Sequence, residues 1–274
     1  MLKLAVRQTE AWVNRHAARA SAYHAALRPD LMRYGIISDI HANLEALEVV
    51  LKRLKEVDAY ICLGDIVGYG PDPDPCVDIV RALPNLKCVV GNHDLACVGN
   101  YDINWFNWMA REAIVWTQTR LSPASRGYLL SLPLMEMENS LTLVHGSLPQ
   151  PMDYVTSEVE ARQVFTEMIT SVCLIGHTHV AERYARAHGA AHVERRSLAQ
   201  GGDTKFEQGM SYIVNCGSVG QPRDGNPMAS YGIYDSAKRE LKVKRVAYPV
   251  ERVREKIETV GLPALLGERL ALGR

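Results

Sequence analysis

Five short motifs set residues able to bind a metal directly after apolar runs. They are Asp39 and His41 in "GIISDIH", Asp65 in "ICLGD", Asn92, His93 and Asp94 in "CVVGNHD", His145 in "LTLVHG", and His177 and His179 in "CLIGHTH". Five of the nine histidines of the chain fall in them. Imidazoles, carboxylates and one amide, with no thiolate, suit borderline divalent ions such as Mn²⁺, Fe²⁺ or Zn²⁺ rather than calcium or a structural zinc. One Asp-x-His pair alone has a chance explanation. Five motifs, each closing an apolar run, do not.

The runs themselves read as buried strands, and helical stretches alternate with them. "RYGIIS", "DAYICLG" and "LKCVVG" are predicted strands. Between the first two, Leu44, Leu47, Val50, Leu51 and Leu54 recur at three- and four-residue spacing behind Asn43, a good helix cap. After the Pro-rich "GPDPDP" a short helix is expected through Val77 to Leu83. This is the rhythm of parallel βαβ units, whose strands open at their carboxyl ends onto one crevice, so distant motifs can converge. Gly64, Gly91, Gly146 and Gly176 stand beside the candidate ligands, where a backbone must turn sharply or approach closely. His177 and His179, two apart, are expected to point the same way from extended chain.

Residues 104–132 read as a helical insertion at the mouth of the crevice. Its tryptophans, Trp105, Trp108 and Trp116, taken singly read as core-facing aromatics. "TSEVEARQVFTEM" is a further helix and "SVCLIG" a further strand. Beyond His179 come short strands, "ERYARA", "AHVERRS", "MSYIVN", "ASYGIYD" and "ELKVKRV", the last with the alternating lysines of an edge or outer strand. Residues 251–274 form a helical tail. His188 and His192, away from the motifs, read as exposed.

A chain of 274 residues, 47% hydrophobic, can bury a large core. Thirty-one basic and 31 acidic residues leave a net charge of zero, so no global field draws nucleic acid or an anionic membrane. Six cysteines without a Cys-x-x-Cys pair point to free thiols and a cytoplasmic setting. No apolar run reaches the roughly eighteen residues of a membrane span. Residues 1–31 are Ala- and Arg-rich and poor in acids: a surface helix, a transit-type segment lacking serines, or an upstream extension of a chain starting at Met32.

Taken in order, Asp39-x-His41, Gly64-Asp65, Gly91-Asn92-His93-Asp94, His145-Gly146 and Gly176-His177-x-His179 resemble the motifs of the calcineurin-like metallophosphoesterases, over about residues 32–250. "NCGSVGQPRDG", Asn215 to Gly225, is similar to the closing motif of the small bacterial phosphodiesterase or diadenosine-tetraphosphatase-like branch, with Cys216 where proline is common. The resemblance implies an α/β fold of two packed mixed β-sheets flanked by helices. It implies two divalent ions, Mn²⁺ first, with Fe²⁺, Zn²⁺, Ni²⁺ or Mg²⁺ as alternatives. Asp39, His41, Asp65 and His179 would hold one; Asp65, Asn92, His145 and His177 the other. A bridging hydroxide would attack phosphorus without a covalent intermediate, His93 would protonate the leaving oxygen, and Asp94 would orient His93.

Asn43 and Arg223 are candidate phosphate contacts, although capping suffices to explain Asn43 and a surface ion pair would explain Arg223. Tyr69 either lines the pocket or closes its loop. The Ser/Thr phosphatases of the superfamily carry arginines after the second and third motifs. "GDIVGYGP" and "GNHDLACVG" lack them, which favours a small phosphomonoester, phosphodiester or nucleotide over a phosphoprotein. A nuclease with the same centre and a silent scaffold are the competing readings. The neutral charge and the missing basic stripe stand against the nuclease, and the full set of ligands against the scaffold. Self-association through the insertion stays open.

Overall fold

The computed structural model describes residues 31–274, so the expectations for the first thirty residues lie outside the described residues. The described residues begin with β1 (Arg33–Ile37), α1 (Leu44–Arg53), β2 (Ala59–Cys62), α2 (Pro73–Arg81), β3 (Leu86–Cys88) and the short α3 (Asn92–Cys97). A 3₁₀ turn at Ile103–Trp105, α4 (Trp108–Gln118) and α5 (Pro123–Ser131) follow. Then come β4 (Met135–Glu138), β5 (Leu141–Val144), α6 (Glu158–Glu167), β6 (Val172–Ile175), β7 (Glu182–Ala187), β8 (Glu194–Ser197), β9 (Gly202–Lys205) and β10 (Met210–Asn215). The chain closes with β11 (Ala229–Asp235), β12 (Glu240–Val246), α7 (Val250–Thr259), α8 (Leu265–Glu268) and a 3₁₀ turn at Arg269–Leu272.

Two six-stranded mixed sheets result, ordered β3-β2-β1-β11-β12-β9 and β4-β5-β6-β10-β7-β8. In the first, β1, β2 and β3 run parallel; in the second, β5, β6 and β10 do. Alternation along these strands builds the layers. Ile36 and Ile61 of the first sheet meet Leu143, Leu174 and Val214 of the second in an inter-sheet core. The next residues along, Ile37 and Cys62, face the other way onto Leu47 and Val50 of α1 and Val77 and Val80 of α2. Val144 and Ile175 turn outward onto Val164 and Phe165 of α6. The expected arrangement, two mixed sheets flanked by helices, is the one observed.

Local chemistry explains several boundaries. Asn43 caps α1 by accepting the Ala46 N–H, with Glu45 in the first turn and Lys52 and Arg53 in the last. The second helix starts at Pro73, inside the Pro-rich stretch, because proline costs no hydrogen bond in a first turn. Two strands, β4 and β9, had no sequence expectation: "MEME" and "GDTK" are short, largely polar edge pieces. Since β9 pairs outside β12, the lysine-rich strand is next to an edge rather than at one.

The insertion differs from its expectation. Ala113, Ile114 and Leu129 pack α4 and α5 into the outer core, and only the head of the insertion, Trp105 to Asn107, lies at the mouth of the crevice. Trp116 packs there and donates its indole N–H to the Val260 carbonyl, but Trp105 and Trp108 are 76% and 53% exposed, contrary to a core-facing reading. Val253 and Ile257 of α7 join the same core, and Lys256 pairs with Glu45 and Asp72.

Candidate metal centre

All five motifs follow parallel strands, β1, β2 and β3 in one sheet and β5 and β6 in the other, so their side chains gather along one edge of the sandwich. Backbone hydrogen bonds stitch the loops together: Asp39 N–H donates to Gly64 O, His41 N–H to Asp65 O, and Gly176 N–H to His145 O. Glycine permits that closeness. A Cβ on Gly91 would stand 2.0 Å from Asp65 Oδ1, and one on Gly176 2.1 Å from Ser38 Oγ.

Two groups of ligand atoms result, each within 4.8 Å: Asp39, His41, Asp65 and His179, and Asp65, His145 and His177. Asp65 belongs to both. Asn92 joins the second, its Oδ1 lying 3.2 Å from His145 Nε2. Between the groups, Asp65 Oδ2 is 3.6 Å from His41 Nε2 and 3.3 Å from His145 Nε2, yet makes no well-aligned hydrogen bond. The sequence expected extended backbone at His177 and His179, but both adopt left-handed φ, 67° and 60°. A tight turn, not strand alternation, sends them to different halves of the centre.

The imidazole orientations are set by backbone carbonyls, which can only accept. His41 Nδ1 donates to Val67 O, His179 Nδ1 to Gln221 O and His145 Nδ1 to Leu63 O. A neutral ring so fixed presents a lone pair at Nε2, the arrangement that metal-ligating histidines share. His41 Nε2 and His179 Nε2 face one another at 3.0 Å. Two lone pairs at that distance repel unless a cation lies between them. Buried His177 Nε2 likewise has no hydrogen-bond partner. The donor set and its unpartnered atoms therefore fit divalent ions.

Electrostatics agree. Burial presses His41 down to about 3 and holds His93, His177 and His179 well below the usual imidazole range. Burial opposes charge on His145 too, but Asp65 and Asp39 outweigh it and lift His145 to about 10. Asp39 is pushed up to about 6 by burial, while Asp65, despite burial, is held well below the carboxylate range, chiefly by His145. This cluster of buried carboxylates demands positive charge.

The remaining candidates separate. His93 donates its backbone N–H to Asp65 Oδ1, and its ring lies between Tyr69 and Phe106 with Nδ1 unpartnered. Asp94 does not orient that ring. Its Oδ1 accepts the N–H groups of Ile66 and Val67 and its Oδ2 that of Gly91, so it splices the Asp65 loop to the Asn92 loop. Burial and then the Asp65 charge raise its carboxyl, against the pull of those N–H groups.

Asn43 is 2% exposed; Oδ1 caps α1 and Nδ2 donates to Gly220 O, so its amide holds the loop rather than facing a phosphate. Arg223 makes no ion pair among the described residues; it donates to Gln221 Oε1 and lies over the Tyr69 ring, beside the centre. Tyr69 both lines the cleft and closes its loop, with φ 62°. His188 and His192 are exposed as expected.

Sequence reasoning missed the back support and the approach. Asn215 Nδ2 donates to Gly176 O, and Ser218 Oγ to Asp39 O, so the closing motif braces the ligand loops from behind; Cys216 packs in the inter-sheet core. A cleft of about 500 Å³ leads to the centre. Of the insertion, only Trp105, Phe106 and Asn107 line it, with Tyr101 just ahead of them. Tyr154, stacked on His177 at 3.8 Å and 14°, lies in an aperiodic loop that no pattern marks.

Known proteins share this framework. An uncharacterised protein of Methanocaldococcus jannaschii is 37% identical over 247 residues, 87% of this chain and 97% of its own. A metallophosphoesterase crystal structure from Sphaerobacter thermophilus superposes with a TM-score of 0.81 at 40% identity, covering 89% of this chain and all of that one. A hypothetical protein of Pyrococcus horikoshii shares the fold, with a TM-score of 0.72 at 18% identity over 88% of this chain and 98% of that one. The sequence profile of the calcineurin-like phosphoesterase superfamily domain matches residues 32–239, three-quarters of the chain and every ligand loop: the protein belongs to that superfamily.

Proposed function

We propose that the protein hydrolyses small phosphoesters with two divalent metal ions, manganese foremost. The observation that carries this reading is the pair of facing lone pairs, His41 and His179 Nε2 at 3.0 Å, beside the Asp65 carboxylate common to both ligand groups. Asp39, His41, Asp65 and His179 would hold one ion, and Asp65, Asn92, His145 and His177 the second. Such ions, when bound, supply Lewis acidity for the phosphoryl oxygens and a nucleophilic water near neutral pH.

The chain's own groups do the rest. Arg223, free of carboxylate partners, neutralises phosphate charge at the inner end of the cleft. Burial keeps His93 neutral in the free protein. A negative phosphoryl group arriving beside it favours the charged ring, which then gives its proton to the leaving oxygen. Asp94 keeps the Asp65 and Asn92 loops in register during turnover. No helix among the described residues is long and apolar enough to cross a membrane. All six cysteines are free and buried, which supports the cytoplasm as its setting.

The test is hydrolysis of p-nitrophenyl phosphate and its bis-ester by Mn²⁺-supplemented protein, with metal counted per chain. Two ions and turnover are expected, with both lost in Asp65→Asn and His145→Ala. Wild-type activity in either variant would remove the assignment.

A further inference from the structure

The cleft outside the metal centre is built unlike the centre itself. Two loops line it with large rings and apolar side chains: Tyr101, Trp105 and Phe106 ahead of α4, and Pro149, Met152 and Tyr154 ahead of α6. Trp105 is 76% and Tyr154 51% exposed, so rings that a core would cover are left at the mouth. His177 covers one face of Tyr154, fixing its plane and leaving the uncovered half for a second planar group.

Charge in the cleft is equally selective. Among the described residues Arg223 is the only lysine or arginine lining it, beside the centre, while Asp153 and Glu160 add carboxylates. Arg269 lies near enough to feel the Arg223 charge but does not line the cleft. A chain of phosphates extending outward from the centre would meet carboxylates and, among the described residues, no further lining cation to balance it. A neutral planar group would meet rings.

Building on the phosphoesterase reading, we propose that the cleft is a stacking subsite, and that the substrate is an ester of a single phosphoryl group with a planar aromatic or heteroaromatic moiety, not a polyphosphate. In the reaction, water oxygen bonds to phosphorus, the P–O bond to the organic group breaks, and the leaving oxygen takes up a proton. The rings hold the organic part while the centre holds the phosphoryl part. A volume of about 500 Å³ accommodates a group of that size.

Calorimetric titration of the full, Mn²⁺-loaded protein with phenylphosphonate and methylphosphonate reads the subsite without requiring turnover. Phenylphosphonate should bind about tenfold more tightly, within the range of stacking on one aromatic side chain. Trp105→Ala should remove most of that advantage and leave methylphosphonate affinity unchanged; Trp105→Phe should retain it. In turnover, kcat/KM for a nucleoside monophosphate should exceed that for the triphosphate, and Asp153→Asn should narrow the gap. Equal affinity for the two phosphonates in a protein that hydrolyses esters overturns the subsite, and preference for the triphosphate overturns the single-phosphate limit. Discrimination between the phosphonates by a protein that hydrolyses no ester keeps the subsite and removes the phosphoesterase reading.

Discussion

Gly91→Ala tests the centre through a residue that offers it no side chain. The new Cβ would stand 2.0 Å from Asp65 Oδ1, 2.4 Å from Asp65 N and 2.7 Å from Asp65 Cγ. Ordinary contact begins at 3.4 Å, so the loops after β2 and β3 must part to clear the Asp65 backbone, and relief by the side chain alone would still require a withdrawal of about 1.4 Å by the carboxylate. It has little room, because Oδ1 is held by the His93 N–H at 2.8 Å. Metal–ligand distances tolerate about 0.2 Å. The shift therefore spoils Asp65 for both ligand groups at once. Overpacking of this kind costs about 1–3 kcal/mol of stability, and a misplacement near 1 Å costs about a hundredfold in rate. The expected outcome is a folded protein by circular dichroism that binds fewer than two ions and loses at least about a hundredfold in kcat/KM. Gly127→Ala is the control: it lies within α5 with nothing inside 4 Å of the added carbon, and alanine is favoured there by about 1 kcal/mol. It should keep full activity and raise Tm. A Gly91→Ala protein that holds two ions and turns over normally would refute the bridging role of Asp65.

His93→Gln should leave metal content unchanged and lower kcat on alkyl esters by about 10²–10⁴-fold, with a smaller loss on p-nitrophenyl esters, whose leaving group needs no proton; equal losses on both would exclude an acid role. Because Asp65 and Asp39 hold His145 protonated up to about 10, a metal ion at that half must displace its proton. Calorimetry at pH 7.5 in buffers of different ionisation heat should show release of about one proton, and affinity should rise about tenfold per pH unit between 6 and 9; affinity flat with pH contradicts the assignment. Lys256→Met should cost about 1–3 kcal/mol in urea unfolding, since it strips Asp72 of its cation beside Glu45, which keeps only the exposed Arg252. A change below 0.5 kcal/mol would mean that the Lys256 pairs add no net stability to the packing of α7.

The sequence made the ligands legible because each interrupts a strong pattern. An apolar run such as Leu141 to Val144 predicts a strand, and His145 directly after it has no structural reason to be there. The two-sheet layering was legible only through the resemblance, since alternation in β1 or β6 gives two buried faces without saying what covers either. What stayed hidden depends on long-range partners. Asp94 looked like a helper of its neighbour His93, but its hydrogen bonds run to residues 66, 67 and 91. The pockets for Trp105 and Trp108 could not be judged from their own segment, because exposure follows from what the rest of the chain leaves uncovered. Tyr154 meets His177, 23 positions further on past α6 and β6, with no periodicity linking them.

The ligand backbone explains why such a site is confined to strand ends. Asp39, His41, Asp65, His177 and His179 all adopt positive φ, between 49° and 67°. For non-glycine residues this costs about 1–2 kcal/mol each. A ligand left in extended strand would point into one of the apolar cores, as Ile36 and Ile37 do. At these five positions a left-handed turn after the strand lifts the side chain over the sheet edge, where ligands from both sheets meet, while His145 and Asn92 reach it without one. Hydrogen bonds between loops, from Asp39, His41 and Ala42 to residues 64, 65 and 66, fix these turns and offset the strain. The same reasoning ranks the probes of the centre. Alanine at position 65 would remove the ligand and also worsen the fit to φ 53°, confounding metal loss with backbone relaxation. Asparagine tolerates the left-handed region as aspartate does, so Asp65→Asn isolates the charge shared between the two halves.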